Sequence, residues 1–309
     1  MKKIILDCDP GHDDAIALML AYFADELELV GVSAVGGNSG LDNTVRNARR
    51  VLDFIGAYNV PVRAGCDRPM LQPLHNESGI RVHGRDGLGG VALPEAVTPI
   101  EPEHAVPWII RTLRESRDPV YLVATGPLTN VAQVLLQAPD VRERLTRIVI
   151  MGGAVYAPGN INSAAEFNFY IDPEAAKVVL QSGCGCDLVT LDVTMKALFR
   201  EEDAEALRAQ GSAAGRLAAE LLGHYGDNLL DGQGRRVWPI HDALCIGTLI
   251  DESLVQWEEA HVEVAVHDPL TRGETVASFH GTQAPNCRIG TAVDRDRFVE
   301  LLKANLAKG

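Results

Sequence analysis

The chain runs KIILDCDPGHDDAIALMLAYFA from residue 3 to residue 24. Residues 3–6 form a short apolar run typical of a buried strand, and residues 7–14 are polar with Pro10 and Gly11 among them. Residues 15–24 are apolar and long enough for a helix. A strand, a polar loop and a helix in this order open a βαβ unit. The stretch therefore predicts an α/β fold whose first strand ends in a functional loop.

The same alternation recurs along the chain. Apolar and β-branched runs predict further strands at residues 29–35, 120–124, 147–151, 187–192, 261–266, 275–279 and 288–293. Helical spacing predicts helices at residues 44–55, 201–222 and 242–250, one that ends near residue 136, one that Asp172 caps with Pro173 at its first position, and one that begins near Asp294. This order predicts an open, mostly parallel, Rossmann-like sheet that is flanked by helices.

The loops that follow the predicted strands are rich in Asp, Gly, Asn or Thr. In open α/β sheets, ligands bind outside the carboxyl ends of the strands. The loops at residues 7–14, 36–38, 125–127 and 152–168 are therefore expected to meet in one crevice, which would be the active site. No linker or break in composition interrupts the sequence, so we predict a single domain over residues 1–309.

The composition of the chain argues against some classes of binding partner. The 309 residues include 46% hydrophobic residues, which is ample for a large core, and the formal net charge is −14. An excess of acidic side chains argues against a nucleic-acid polymer and against an anionic membrane surface, because both need clustered Lys and Arg. It leaves room for a bound cation.

The cysteines and the apolar runs bear on the compartment. The start MKKIILDCDPG lacks the apolar core of a signal peptide, and no stretch of about 20 apolar residues predicts a membrane span. Six cysteines have no zinc-site spacing, since Cys184 and Cys186 form CxC without a second pair. Cys8 and Cys245 are expected to be small core residues. We therefore expect a protein of the reducing cytoplasm.

The strongest local feature is Asp7-Cys8-Asp9-Pro10-Gly11-His12-Asp13-Asp14. Its carboxylates repel one another unless a cation or hydrogen bonds compensate, and hard oxygen ligands suit calcium or magnesium. The loop is not an EF-hand, because Leu18 stands where the twelfth position needs Glu. The alternative is a solvated acidic turn at a helix N-terminus. The preceding buried strand argues against that alternative.

Other motifs accompany this loop in a fixed order. They are ATGPLTN at residues 124–130, Met151-Gly152-Gly153, Gly159-Asn160, AEFN at 165–168, LDVT at 191–194 and Ile240-His241-Asp242. Together with DxDPGxDD they resemble the inosine-uridine-preferring nucleoside hydrolases over nearly the whole chain. The resemblance implies hydrolysis of the N-glycosidic bond of a small-molecule ribonucleoside to ribose and free base, the EC 3.2.2 class of nucleoside catabolism and salvage. It also implies a homodimer or a homotetramer.

The resemblance further implies a Ca²⁺ site and catalytic roles. Calcium would be held by the side chains of Asp9, Asp14 and Asp242 and by the backbone carbonyl of Thr125. A calcium-activated water would be the nucleophile, with Asp9 as the general base. The alternative for Thr125, a helix N-cap, is compatible with this role because the metal would use only the carbonyl.

Substrate-binding residues are implied in the same way. Asn38, Asn160, Glu166, Asn168 and Asp13 look like a ribose clamp, because three sugar hydroxyls need several donors and acceptors. The alternative is that the Asn residues only make turns. Glu166 and Asn168 flank Phe167 at a period of two, so both can point into one cavity. The matching motifs place Met151 and Phe167 at the substrate as well.

The sequence indicates the residues around the nucleobase less clearly than those around the ribose. His241 stands beside Asp242, and in the family's subgroup with a His here it is implicated in protonating the departing base. His83 opens HGRDGLGG in a long segment, residues 66–100, with little periodicity. This segment resembles a lid over the base, and the alternative is a flexible surface loop. Residues 224–238, with Tyr225, are candidates for lining the base pocket, and the choice between purine and pyrimidine stays open.

Two other functional classes are consistent with parts of the sequence. Asp7 and Asp9 in a DxD arrangement suggest an aspartyl-phosphate hydrolase, but that chemistry needs a Lys or Arg near the phosphate and the loop has none. A protein that binds nucleosides without turning them over is the second class. The full set of Asp9, Asp14, Asp242 and His241 favours an enzyme over such a binder.

Overall fold

A computed structural model describes residues 1–226 and 229–309. The strands are β1 (Lys2–Cys8), β2 (Leu27–Ala34), β3 (Val62–Ala64), β4 (Val120–Ala124), β5 (Leu145–Met151), β6 (Cys186–Val189), β7 (Phe199–Arg200), β8 (Leu229–Leu230), β9 (Arg236–Trp238), β10 (Val255–Val264), β11 (Thr275–Ser278) and β12 (Cys287–Val293). Within these residues, β7, β9 and β8 form a small separate sheet, and the other strands form one large sheet.

Helices connect and cover the strands of the large sheet. They are α1 (His12–Phe23), α2 (Leu41–Phe54), α3 (Glu77–His83), α4 (Ala105–Glu115), α5 (Thr129–Gln137), α6 (Phe167–Ile171), α7 (Pro173–Leu180), α8 (Leu191–Thr194), α9 (Glu201–Gln210), α10 (Ala213–His224), α11 (His241–Ile250) and α12 (Arg295–Leu306). Short 3-10 helices span Pro139–Arg144 and Glu252–Leu254.

The order of the large sheet is β11-β10-β12-β6-β5-β4-β1-β2-β3. Every pair from β12 to β3 is parallel, and only β10 and β11 add antiparallel pairs at one edge. The predicted open, mostly parallel α/β sheet is confirmed. The parallel strands place the ends of β1, β2, β4 and β5 at the same edge, where the polar loops follow.

The opening stretch folds as its pattern predicts. In the central strand β1, Ile4, Ile5 and Leu6 are all fully buried, because helices cover both faces of a parallel sheet. Leu6 and Ile5 belong to different apolar cores, one on each face, as side chains that alternate along a strand require. Cys8 and Cys245 are buried in the core, as expected.

The capping signals were also accurate. Asp172 caps α7 by accepting a hydrogen bond from the Ala175 backbone N–H, with Pro173 at the first helical position. Asp294 caps α12 in the same manner. These features depend on a few neighbouring residues, and local sequence is therefore enough to predict them.

Several boundaries differ from the prediction. β6 ends at Val189, and the rest of the predicted strand at 187–192 becomes α8. The helix predicted at 201–222 is divided by Gly211, whose φ of 78° ends α9. β10 begins at Val255 rather than at 261, because the consecutive exposed residues Glu258 and Glu259 interrupt the apolar alternation in the sequence.

The segment at 66–100 contains a helix, α3, that the sequence did not predict. The strands β3, β7, β8 and β9 were not predicted, because runs of two or three residues carry too little periodicity. Among residues 1–226 and 229–309, no helix has both the length and the apolar character that crossing a membrane requires.

Candidate active site

One cavity lies where the parallel strands end. It is lined by the predicted site residues Asp13, Asn38, His83, Thr125, Met151, Asn160, Glu166, Phe167, Asn168, His241 and Asp242. Asp9 and Asp14 do not line it, and both are fully buried. They contact Asn38 and Thr125, which do line it. The loops that the sequence analysis expected to converge therefore do so.

Three carboxylates form a tight group at this cavity, and two of them, Asp13 and Asp242, line it. Oxygen atoms of Asp13, Asp14 and Asp242 lie within 4.8 Å of one another. Asp13 and Asp14 are in the first turn of α1, and Asp242 is in the first turn of α11. Burial and the neighbouring Asp14 raise the pKa of Asp13 to about 7, and burial raises the pKa of Asp242 well above its ordinary value. A bound cation would relieve this repulsion.

Asp9 stands beside this group rather than within it. Its Oδ2 accepts a hydrogen bond of 2.7 Å from the Asn38 backbone N–H, and its buried Oδ1 has no hydrogen-bond partner in the described part of the chain. A Cβ atom at Gly37 would lie 2.0 Å from Oδ2, and one at Gly126 would lie 2.7 Å from Oδ1. These two glycines therefore give the carboxylate its room. Burial and the charge of Asp14 raise the pKa of Asp9 well above its ordinary value.

Asp14 connects the first loop to the loop after β4. Its carboxylate accepts hydrogen bonds from the Gly11 backbone N–H at 3.0 Å and from the Thr125 hydroxyl at 2.8 Å. Thr125 is not a helix N-cap, because α5 begins four residues later at Thr129. The Thr125 carbonyl accepts a hydrogen bond of 2.9 Å from Asn168 Nδ2 and keeps a second lone pair.

The residues expected to clamp the ribose also hold one another. Glu166 caps α6, and its carboxylate accepts hydrogen bonds from the backbone N–H groups of Asn168, Phe169 and Gly153 at 2.8, 3.2 and 3.1 Å. Asn160 Oδ1 accepts from the Phe167 backbone N–H at 2.8 Å. Among residues 1–226 and 229–309, the Asn160 amide nitrogen and Asn168 Oδ1 have no hydrogen-bond partner, so both are available to a ligand. Glu166 therefore caps a helix and also lines the cavity.

Burial also affects the ionisation of Glu166. Its side chain is only 1% exposed, and burial raises its pKa to about 7 despite the three backbone donors. A carboxyl group poised near neutrality can accept or donate a hydrogen bond to a sugar hydroxyl.

Three rings form a cluster in which His83 and Tyr225 line the cavity. The Nδ1 atoms of His12 and His83 are 2.9 Å apart, and the Tyr225 ring lies 5.3 Å from His12 and 5.5 Å from His83. Burial lowers the pKa of His12 to about 4 and that of His83 well below its ordinary value. Sequence analysis missed His12, although it stands inside the acidic motif. Of the candidate stretch at 224–238, Asp227 and Asn228 lie outside the described residues.

The segment expected to be a lid is packed in place. Asn47 Nδ2 donates to the Asp86 carbonyl at 2.7 Å and to the Pro10 carbonyl at 3.2 Å, and Leu88 is fully buried. A flexible surface loop is therefore the wrong description of residues 84–90. Within the same 66–100 segment, α3 borders the cavity through Ser78, Gly79, Arg81, Val82 and His83.

His241 stands at the start of α11, and its ring borders the cavity. Its Nδ1 lies 2.7 Å from the hydroxyl of Thr194. Burial lowers the pKa of this imidazole to about 4. The other nitrogen, Nε2, is left for a ligand.

Asp7 lies one step further from the cavity than Asp9 does. Both are fully buried, but Asp9 is hydrogen-bonded to Asn38, which lines the cavity. Asp7 Oδ1 instead accepts hydrogen bonds from the Ser33 hydroxyl and from Asn130 Nδ2, neither of which lines the cavity. This geometry argues against the aspartyl-phosphate alternative, in which Asp7 would attack the substrate.

Comparison with known proteins gave consistent matches. The sequence profile of the family described as inosine-uridine preferring nucleoside hydrolase matches residues 4–300. Pyrimidine-specific ribonucleoside hydrolase RihA of Citrobacter koseri is 41% identical over 311 residues, which cover 98% of this chain and 97% of that protein. RihA of Escherichia coli O7:K1 is 40% identical, with the same coverage of 98% and 97%.

Solved structures agree with the sequence matches. A purine-preferring ribonucleoside hydrolase from Gardnerella vaginalis superposes with a TM-score of 0.93 at 29% identity, covering 99% of this chain and 98% of that one. The plant nucleoside hydrolase PpNRh1 has a TM-score of 0.92 at 28% identity, with coverage of 100% and 99%. Sequence and fold thus match the same group of proteins over their whole length.

Proposed function

The chain belongs to the inosine-uridine preferring nucleoside hydrolase family, and we propose that it cleaves ribonucleosides to ribose and free base with a calcium-activated water and Asp9 as general base. Hydrolysis of nucleosides follows from membership of the family. The calcium ion and the roles of individual residues are our proposal. The observation that carries it is the group of buried carboxylates beneath a polar cavity, with an unpartnered Asp9 oxygen beside them.

The donor set fits a hard cation. We assign Asp9, Asp14, Asp242 and the Thr125 carbonyl as the groups that would hold it, since calcium prefers oxygen ligands of this kind. When bound, calcium would lower the pKa of a coordinated water and offset the charge of the carboxylates. Asp13 lies in the same carboxylate group and lines the cavity, and we assign it to the ribose hydroxyls.

Asp9 is suited to be the general base because only one of its two carboxylate oxygens, Oδ2, accepts a hydrogen bond within the described part of the chain. The Asn38 N–H fixes Oδ2 and hence the orientation of the group. Oδ1 is then a buried acceptor without a hydrogen-bond partner among the described residues. Leaving such an acceptor unsatisfied costs about 1–3 kcal/mol of folding free energy unless a ligand donates a hydrogen bond to it. A water held there would give its proton to Oδ1 as it attacks the anomeric carbon.

The remaining residues would hold the two ends of the substrate. Asn160 Nδ2, Asn168 Oδ1 and the carboxyl group of Glu166 offer donors and acceptors to the sugar hydroxyls. His241 faces the same cavity and would assist the base as it departs with developing negative charge. Attack by water on one face and departure from the other predict inversion at the anomeric carbon.

We propose that pyrimidine nucleosides are the preferred substrates. The RihA relatives are named as pyrimidine-specific and are 40–41% identical, whereas the purine-preferring hydrolase of known structure is 29% identical. Values of kcat/KM for uridine, cytidine, inosine and adenosine test this proposal. Higher efficiency with inosine than with uridine would contradict it.

We also propose a cytoplasmic homodimer or homotetramer. The family resemblance supports the oligomer, and the six cysteines, all of which are free thiols, are consistent with a reducing compartment. Light scattering of the purified protein would measure the assembly, and a monomer at micromolar concentration would contradict this proposal.

The central experiment combines metal analysis with a turnover assay. Purified protein is expected to contain calcium in stoichiometric amount and to release ribose from uridine, and chelation followed by calcium addition should abolish and restore turnover. Asp14→Ala should lose both metal and activity. Asp118→Asn removes a carboxylate from the exposed surface and should lose neither. Full activity without metal would overturn the calcium proposal, and binding of uridine without release of ribose would support the non-enzymatic alternative.

A further inference from the structure

The LDVT motif forms α8, a single turn that follows β6 and does not line the cavity. Its role is not explained by the metal or by the ribose residues. The side chains of Asp192 and Thr194 are nevertheless hydrogen-bonded to parts of the site. These two contacts show what the motif does.

Asp192 fixes the turn to the loop after β5. Its carboxylate accepts hydrogen bonds from the backbone N–H groups of Val155, Tyr156 and Ala157 at 2.9, 2.7 and 2.8 Å. The Leu191 backbone N–H adds a bond of 3.0 Å to the Gly153 carbonyl. The position of α8 is therefore held by four backbone groups of the loop after β5.

Thr194 uses this fixed position to contact His241. Its side chain is fully buried, and its hydroxyl lies 2.7 Å from Nδ1 of His241. Nδ1 is the only partner of this hydroxyl among the residues that the structure describes. A buried hydroxyl must place its proton on an acceptor, so the Thr194 O–H donates to Nδ1. Nδ1 then has no proton of its own.

We propose that Thr194 is a positioning residue that holds the His241 ring in place and keeps its proton on Nε2, the nitrogen that is left for the substrate. In a neutral imidazole one nitrogen accepts and the other donates. With Nδ1 occupied as an acceptor, Nε2–H is a hydrogen-bond donor directed to the cavity. This inference rests on the proposed role of His241, because the donor would stabilise negative charge that develops on the departing base.

The test compares two substrates with different leaving groups. Thr194→Val keeps the shape and removes the hydroxyl, and we expect it to lower kcat on uridine by about tenfold or more, within the usual range for a misplaced donor. p-Nitrophenyl riboside has a leaving group that departs without help and should lose much less. Thr194→Ser retains a hydroxyl and should restore most of the activity on uridine.

Thr248→Val is the matched control. Thr248 lies on α11, the helix that begins with His241, and is 5% exposed. Its hydroxyl donates at 2.8 Å to the Cys245 carbonyl and does not contact the cavity. Loss of this buried hydroxyl should reduce stability without separating the two substrates. Equal losses on both substrates in Thr194→Val, as in the control, would overturn the proposal.

His241→Ala separates this inference from the function on which it rests. If His241→Ala does not discriminate between the two substrates, the assigned role of His241 fails. If it discriminates and Thr194→Val does not, the Thr194 inference fails and the His241 role stands. Heteronuclear NMR of the wild-type histidines, assigned with His241→Ala, gives a readout that does not depend on a folded Thr194 variant. We expect His241 protonated on Nε2, and a proton on Nδ1 would overturn the inference.

Discussion

Asp9 has one carboxylate oxygen held by a backbone N–H and the other without a partner. In a fully buried position this is an unfavourable arrangement for folding alone, because burying an unsatisfied charged group is costly. Such local costs are typical of functional sites. The missing hydrogen-bond partner of Asp9 Oδ1 is therefore a sign of function at the scale of single residues.

Asp9→Asn tests the role of this carboxylate. The side-chain oxygen of Asn can still accept the hydrogen bond from Asn38, so the fold should be retained. Loss of the base and of one charged ligand should lower kcat by at least about a hundredfold. The assay is ribose release from uridine at saturating calcium, and near wild-type turnover would remove Asp9 from the mechanism.

Gly126→Ala tests the space around the same group. A Cβ at residue 126 would lie 2.7 Å from Asp9 Oδ1 and 2.9 Å from Val35 Cγ1, so the carboxylate has to move. We expect a loss of activity of at least about tenfold, because small displacements of a catalytic group are costly. Gly40→Ala is the control, since a Cβ there meets no atom within 4 Å. Equal activity of the two variants would show that the position of Asp9 is not critical.

Two helix N-termini build the carboxylate group at the scale of elements. Asp13 and Asp14 lie in the first turn of α1, and Asp242 lies in the first turn of α11. The positive end of each helix dipole offsets part of the negative charge. The offset is incomplete, because burial still raises the pKa of Asp13 to about 7. The packing of α1 beside α11 thus leaves a local charge that a cation would neutralise.

Calcium should therefore stabilise the fold as well as support turnover. A ligand that binds only the native state at about a hundred times its Kd adds about 2.7 kcal/mol to the free energy of unfolding. We expect the Tm of the chelated protein to rise by several degrees when calcium is restored. In Asp14→Ala the rise should be absent, while Asp118→Asn should behave as wild type. An unchanged Tm in the wild-type protein would argue against a tightly held ion.

At the scale of the whole molecule, acidic charge surrounds the chemistry. The formal net charge is −14, and Asp13, Glu166 and Asp242 all face the cavity. Arg81, on α3, also borders it. An uncharged nucleoside suits these surroundings better than a nucleotide, whose phosphate carries about two negative charges at neutral pH.

Nucleoside 5′-monophosphates should accordingly be poor substrates. We propose that Glu166 and Asn160 contact the 5′-hydroxyl of the ribose. A 5′-phosphate would then bring about two negative charges next to the Glu166 carboxyl group in a partly desolvated cleft, and the expected loss in kcat/KM is about a thousandfold or more. The measurement compares uridine with uridine 5′-monophosphate, and inosine with its monophosphate, at fixed calcium. Comparable efficiencies would show that Glu166 does not hold the 5′ end of the ribose.

Much of the fold could be predicted because its signals are local. The apolar run before Asp7, the Asp172 cap with Pro173 and the polar loops after the strands each depend on a few neighbouring residues. The parallel order then places the ends of β1, β2, β4 and β5 at one edge, so the convergence of the predicted site residues also followed from the sequence.

Only the tertiary structure decided how those residues meet. It groups Asp13 with Asp14 and Asp242 and leaves Asp9 beside them, and it turns the end of a predicted strand into α8, whose Thr194 contacts His241. Such contacts join positions that are tens to hundreds of residues apart. The family motifs in the sequence indicated most of the side chains that line the cavity, although Asp9 and Asp14 lie behind it and the lining residues Ser78 and Arg81 were not predicted. The distances between their atoms depend on how the helices pack on the sheet, and local sequence patterns carry no record of that packing.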